Sequence, residues 1–242
     1  MVVTITKDEL DFDRQAAWRI VGQMLSKPDA VIGLSTGRTT VAMHRIVAEL
    51  FCMHPFDVSR VTLFGVDEIT NVPRSYSGAC YTMLMDLLAP LVRNGGCTLH
   101  MPPTQSDDFL RECCLFEQYL HEHGGADLQM LGLGENGHIG FNQPGTSFGS
   151  TTWIAPLDPT LEERVRLETQ IPSSVPLGGL TRGIKNIMQT RRIILVAKGA
   201  AKAWAVQQLV NGPVTESVPA SILQLHPNCE LLLDAEAAHY LS

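Results

Sequence analysis

Two adjacent carboxylates, Asp67 and Glu68, and a histidine set among glycines, His138, are the residues of this chain best suited to move protons. Either carboxylate could act as a general base, and an imidazole with an unperturbed pKa of about 6.5 serves as acid or base near neutral pH. Two other stretches suit an anion: Ser35-Thr36-Gly37-Arg38-Thr39-Thr40 and Lys198-Gly199-Ala200-Ala201-Lys202. Free backbone amides, hydroxyls and a helix dipole together attract phosphate, and Arg38 or the lysines add charge. Each stretch also has a plainer reading. Asp67 and Glu68 could simply cap a loop, His138 could close its own turn, the Ser-Thr turn could be an ordinary helix cap, and the lysines could lie on the surface.

The elements that must position these residues follow from hydrophobic spacing. Residues 8 to 26 repeat apolar side chains at helical intervals, and Ala30 to Leu34 reads as a short buried strand. The Ser-Thr turn comes next, then a helix carrying Met43, Ile46, Val47, Leu50 and Phe51. Val61 to Val66 predicts a second strand that ends at Asp67 and Glu68. Residues 76 to 93 and 106 to 123 read as helices, with a short run Cys97 to Met101 between them. Leu128 to Leu133 predicts a buried strand running into the His138 loop. Gly132, Gly134 and Gly137 there have dinucleotide-fingerprint spacing, but Gly140, Pro144 and Gly145 deny it the helix it needs. Trp153 to Pro176 is weakly patterned, with Arg164 and Arg166 on a helix, and reads as a mobile lid. Leu177 to Met188 is expected to be helical, Arg192 to Ala197 a strand and Ala203 to Val210 a helix. Pro219 to Leu225 should form a short helix, Glu230 to Leu233 a last strand, and the end of the chain a helix.

Strands alternating with helices imply a three-layer α/β sandwich around a mostly parallel sheet, and ligands of such sheets bind beyond the carboxyl ends of the strands. The loops at 35–40, 67–68, 132–138 and 198–202 all follow strands, so all should meet at that edge.

Composition narrows the function. A chain of 242 residues with 45% hydrophobic content is expected to form a single domain, 1–242. Its net charge of −7 and lack of any basic run exclude a nucleic-acid partner, which requires a basic face. No apolar stretch approaches the roughly 20 residues that span a bilayer, and no signal-peptide pattern opens the chain, so a cytoplasmic protein is expected. The 6 cysteines form no C-x-x-C pair and His121-Glu122-His123 lacks the spacing of a zinc helix, so no metal is expected. A closed homo-oligomer is the default for an enzyme of this kind.

The segment GLGENGHIGFNQPGTSF is very similar to the signature of the glucosamine-6-phosphate deaminase (isomerase) family. GLSTGRTT resembles that family's phosphate loop, FGVDEI its catalytic Asp-Glu strand end, and GAAKAWAVQQLVNG with VPASILQLHP its C-terminal segment. The resemblance spans nearly the whole chain and points to a superfamily that also holds the 6-phosphogluconolactonases. It implies a Rossmann-like fold with neither metal nor nucleotide cofactor. It implies that Asp67 moves a proton between C2 and C1 of the open-chain amino sugar phosphate, giving fructose 6-phosphate and ammonia, and that His138 opens the pyranose ring. Glu68, Asn136 and Gln143 complete the catalytic set by similarity. Ser35, Thr36, Gly37, Arg38 and Thr39 with Lys202 would hold the phosphate, helped by Arg164.

Three departures stand out. Arg38 and Thr40 replace a second glycine and a proline, Asn136 stands where some members have aspartate, and Gln143 stands where an Asn-Glu-Pro motif supplies a carboxylate. A neutral amide cannot share a proton with imidazole or stabilise its charged form. The leading expectation is therefore a deaminase of glucosamine or galactosamine 6-phosphate. Behind it stand a sugar-phosphate lactonase, against which the continuation His138-Ile139-Gly140-Phe141-Asn142 argues, and a sugar-phosphate-binding protein without turnover.

Overall fold

The apolar runs of the sequence become a seven-stranded sheet in the computed structural model, which describes residues 1–241. In chain order the elements are β1 (Val2–Ile5), α1 (Glu9–Ser26), β2 (Val31–Leu34), α2 (Val41–Met53), β3 (Thr62–Gly65), β4 (Asp67–Thr70), α3 (Cys80–Ala89), β5 (Thr98–His100), α4 (Phe109–Glu122), β6 (Leu128–Gly132), β7 (Trp153–Ala155), α5 (Pro159–Thr169), β8 (Gly178–Thr181), α6 (Ile184–Met188), β9 (Arg192–Ala197), α7 (Ala203–Asn211) and β10 (Cys229–Leu233). The sheet runs β1-β10-β9-β6-β2-β3-β5 with every pairing parallel.

Both faces of this sheet are buried. Ile32, Leu34, Leu63 and Met130 pack against Phe12, Ile20, Met24, Met43 and Val47 of α1 and α2. Their neighbours along the strands, Val31, Phe64, Leu131 and Leu195, pack against Phe116, Leu120, Val206 and Leu209 of α4 and α7. Strands covered on both sides have no polar face to alternate with, so they read as unbroken apolar runs. The expected three-layer α/β sandwich is what forms.

The strand order also fixes where a ligand can enter. From β2 the chain proceeds outward through β3 to β5, then returns so that β6 pairs with the other side of β2, Leu34 opposite Met130. Connections leave the sheet in opposite directions there, opening a crevice at the carboxyl ends of β2 and β6.

A smaller antiparallel sheet, β4-β8-β7, was not foreseen. Asp67 and Glu68 do not simply end the second strand, because the chain passes at Val66 from one sheet to the other. The Val66 amide donates to Leu34 O (3.2 Å) in the large sheet, and its carbonyl accepts from the Arg182 amide (3.1 Å) beside the small one. Ile69, Val72, Leu157 and Val165 bury this layer against α5.

Two expected helices are corrected. The first half of Leu177 to Met188 is strand β8, and only Ile184–Met188 is helical. Gly178 and Gly179 are poor helix formers, and a Cβ on Gly179 would lie 2.1 Å from the Phe141 ring, so the strand can pass beneath that ring only as glycine. The end of the chain forms turns rather than a helix. Asp234 directs its carboxylate to the amides of Ala237 (2.7 Å) and Gly199 (2.9 Å), which holds the segment in a turn tied to the loop after β9. Residues 76 to 93 are helical only from Cys80, and Pro90, lacking an N–H, opens a wider turn over Pro90–Asn94. Pro219–Leu225 is a tighter 3-10 helix.

Candidate functional site

The turn from β2 into α2 is built to leave its amides open. Ser35 is buried and donates through both N (3.2 Å) and Oγ (3.0 Å) to Met130 O, which ties the turn to β6. Thr40 occupies the cap position of α2, yet its hydroxyl points back to the carbonyls of Ser35 and Gly37, both at 3.1 Å, and caps no helix amide. Among the described residues nothing accepts from the amides of Thr36, Gly37, Arg38 or Thr39. The ordinary capped turn is thus not what forms. Unpartnered amides at a helix start, with the dipole behind them, make a cradle for an anion.

Lys202 follows β9 on a short 3-10 turn and lines the same cavity, its Nζ 4.0 Å from Glu135 Oε1. Burial holds its pKa below the usual lysine value; Glu135 opposes that and Arg38 adds to it. Arg38, Lys202 and the open amides therefore face one space. Lys198 lines it as well, but its ammonium is already paired with Glu9 Oε1 at 2.7 Å and Asp13 Oδ2 at 3.6 Å.

Asp67 opens β4 directly opposite Thr181 of β8. Its carboxylate accepts a short hydrogen bond from Thr181 Oγ1, and it is 9% exposed. Burial pushes its pKa up to about 7, against the Thr181 hydroxyl and the Phe141 amide, which lower it. Carboxylates lifted into the neutral range by desolvation suit proton abstraction. Gly140 makes room for this group: its φ is +58°, and a Cβ there would lie 2.7 Å from Asp67 Oδ1.

His138 sits on the loop that follows β6. The loop folds on itself, Gly134 N donating to His138 O (2.8 Å) and Gly137 N to Gly134 O (3.0 Å), so no helix starts and the dinucleotide spacing of its glycines is coincidental. Buried Asn142 anchors the loop by donating to Ile139 O (2.9 Å) and Arg182 O (2.8 Å), and it accepts from Trp153 Nε1 (3.1 Å). His138 Nδ1 is 2.7 Å from Asn136 Oδ1, and Asn136 Nδ2 donates to Gln143 Oε1 at 3.0 Å. Since the Asn136 oxygen can only accept, His138 Nδ1 carries the proton and neutral Nε2 keeps its lone pair. Burial, with Lys202 nearby, holds the His138 pKa below the ordinary value.

These groups surround one cavity of about 670 Å³, lined by Ser35 to Thr40, Asp67, Gly132 to Glu135, His138, Gln143 and Lys202. The expected convergence of the strand-end loops is therefore met. Two expected site residues are corrected. Glu68 does not face the cavity: its Oε1 accepts from the amides of Ile69 and Cys80, both at 2.8 Å, and its Oε2 from Tyr81 N at 2.8 Å. It caps α3, where free amides and the dipole favour an anion. Arg164 is exposed on α5 near Tyr76 and does not line the cavity. Asp158 and Glu135 do line it and were not singled out. Asp158 was legible as a helix start, Asp-Pro-Thr, and its Oδ1 accepts from Thr160 N (3.0 Å) and Leu161 N (3.3 Å). Nothing in its spacing marked Glu135.

The family model for glucosamine-6-phosphate isomerases and 6-phosphogluconolactonase matches residues 13–232. A glucosamine-6-phosphate deaminase of Clostridium botulinum (strain Kyoto / Type A2) is 35% identical over 243 residues, covering 100% of this chain and 99% of its own. One of Halothermothrix orenii is 36% identical with 100% of both chains covered. The structure of a monomeric glucosamine-6-phosphate deaminase superposes with a TM-score of 0.88 at 33% identity, covering 99% of each chain. The 6-phosphogluconolactonase of Trypanosoma brucei, at 19% identity and a TM-score of 0.79 over 100% of this chain and 98% of its own, shares the fold. Sequence, architecture and the gathered strand-end loops agree: the chain belongs to the glucosamine-6-phosphate isomerase and 6-phosphogluconolactonase family.

Proposed function

We propose that this protein is an amino-sugar phosphate isomerase and deaminase, converting glucosamine 6-phosphate or galactosamine 6-phosphate to the ketose 6-phosphate and ammonia. The observation that carries this reading is the pairing, on one cavity, of a desolvated carboxylate with a neutral imidazole, next to an open amide cradle. The phosphate sits against the amides of Thr36 to Thr39, with Lys202 and Arg38 as its cations. His138 Nε2 takes the proton of the anomeric hydroxyl and returns one to the ring oxygen, which opens the ring. Asp67 removes the C2 proton of the open aldehyde. The electron pair moves to form a C1–C2 double bond, and the C1 oxygen takes a proton from water, leaving hydroxide. Asp67 then delivers its proton to C1, leaving an iminium at C2; hydroxide adds to C2, and a proton moves from oxygen to nitrogen as the C–N bond breaks to give the ketone and ammonia. Asn136 and Gln143 orient His138 rather than exchange protons with it.

The relatives named glucosamine-6-phosphate deaminase, matched end to end, support this reading over the lactonase, whose likeness is one of fold. The chain is taken as one unit, 1–242, working in the cytoplasm. Among the described residues no helix is long and apolar enough to cross a membrane.

The test is release of ammonia and ketose phosphate from each sugar, with lactone hydrolysis measured beside it. Ammonia release lost in Asp67→Asn supports the reading. Thermal stabilisation by both sugar phosphates without product would sink it and leave a binding protein, because a ligand stabilises the native state whether or not it reacts.

A further inference from the structure

Thr181 is fully buried and lies opposite Asp67 across the β4-β8 pairing. Its hydroxyl holds two loops at once. It accepts from Phe141 N at 3.2 Å, on the loop that carries His138, and it donates to Asp67 Oδ1. A threonine hydroxyl has one proton, and the Phe141 amide already supplies the hydrogen bond it can accept from that side. An ionised Asp67 carboxylate can only accept, and the other acceptor near the hydroxyl, Arg182 O, is farther away at 3.5 Å, so toward the charged base the Thr181 proton points at Asp67.

We propose that Thr181 is the positioning residue of the base, fixing Oδ1 as the hydrogen-bonded oxygen of Asp67 and leaving Oδ2 as the oxygen that takes the substrate proton. The proposal deepens the deaminase reading and rests on it. The arrangement has two physical consequences. A hydrogen bond to the charged form favours ionisation, so the hydroxyl opposes the burial that pushes Asp67 upward. It also stops rotation of a carboxylate whose neighbour Gly140 already sits tight against Oδ1. Because the same hydroxyl accepts from Phe141, it sets the base in register with the loop bearing His138. The base opens the small sheet and the ring-opening group sits on the loop that follows β6 of the large one, and this hydroxyl bonds to both segments.

The experiment compares the wild type with Thr181→Val, which keeps the shape and loses the hydroxyl, and Thr181→Ser, which keeps the hydroxyl and loses the methyl. Two quantities are read: the Asp67 carboxyl titration by carbon NMR in the ligand-free protein, and the pH profiles of kcat and KM for hexosamine phosphate. In Thr181→Val the carboxyl titration and the acid limb of kcat/KM move up by about one pH unit. At neutral pH kcat falls at least about tenfold while KM changes less than about threefold. Thr181→Ser restores both. An unchanged Asp67 titration in a folded Thr181→Val protein overturns the proposal, as does an equal loss in Thr181→Ser, which would make the methyl the important part. A titration shifted in Thr181→Val, together with a wild type that turns over neither sugar, supports the role of Thr181 and rejects the deaminase reading, so the two ideas fail separately.

Discussion

His138 Nδ1 stands 2.7 Å from Asn136 Oδ1, and the amide behind that oxygen is itself held by Gln143 rather than by a carboxylate. The imidazole is therefore oriented by a neutral relay that lends it no charge stabilisation when it takes a proton; only the more distant carboxylates of Asp158 and Glu135 favour its charged form, and burial with Lys202 outweighs them. Gln143→Glu puts a negative charge at the end of the relay without changing the bond that Asn136 Nδ2 makes. The His138 pKa, held low in the natural chain, is expected to rise toward the ordinary histidine value. Proton NMR of the His138 ring reads the shift, and the His138-dependent limb of kcat/KM should follow it, with neutral-pH kcat changing less than about tenfold. A ring titration that does not move would show that Gln143 is electrically remote from His138.

Asp67→Asn separates chemistry from stability. Losing the base should lower kcat by roughly 10²–10⁴-fold while phosphate-dependent binding persists. Stability should move the other way. The folded-state pKa is raised, from 3.8 to about 7, so the folded protein is favoured below the unfolded pKa and loses that advantage as pH rises through the folded value. Between pH 5 and 8 the wild type should therefore lose a few kcal/mol that the asparagine variant keeps. Thermal melts of both proteins across that range check it; parallel curves would contradict a raised Asp67.

Phosphate recognition should divide the cations sharply. Lys202→Met and Arg38→Met are each expected to raise KM by about tenfold or more with a smaller effect on kcat, since an interaction present in ground and transition state alike acts on binding. Arg164→Met, exposed and off the cavity, should leave both constants within about twofold. Competitive inhibition by inorganic phosphate, weakened by the first two changes and untouched by the third, is the independent readout. A KM raised by Arg164→Met as much as by Lys202→Met would mean that α5 swings inward when substrate binds.

Glu68→Gln tests the cap. The amide can accept from some of the three backbone donors, but its NH2 group must face at least one of them, because Glu68 uses both oxygens. A loss of about 1–3 kcal/mol is expected, from a buried donor left unmade and a weaker partner for the helix start. Denaturant titration measures it. KM for the sugar phosphate should not change, whereas a loss of kcat with stability intact would return Glu68 to the catalytic set.

The sequence by itself determined the layers and the chemistry on offer. Strands buried on both faces are apolar along nearly their whole length, and helices between them must repeat at 3.6, so Val31 to Leu34, Leu128 to Gly132 and Arg192 to Ala197, with Gln129 the one polar residue inside a run, announced a covered parallel sheet. Strand-end loops of such a sheet share an edge, so the meeting of Ser35 to Thr39, Asp67, His138 and Lys202 was legible too. What sequence spacing does not contain is the partner across the sheet. That Glu68 turns away to cap α3 while its neighbour Asp67 faces the cavity depends on the passage at Val66 into a second sheet. That Thr181 would stand opposite Asp67, 114 residues away, depends on the register of β4 with β8, a strand whose Gly179 packs beneath the Phe141 ring. Local pattern fixes which face of an element is buried. Only tertiary packing decides which buried polar groups meet, because each hydrogen bond is made between residues that the chain brings together from far apart.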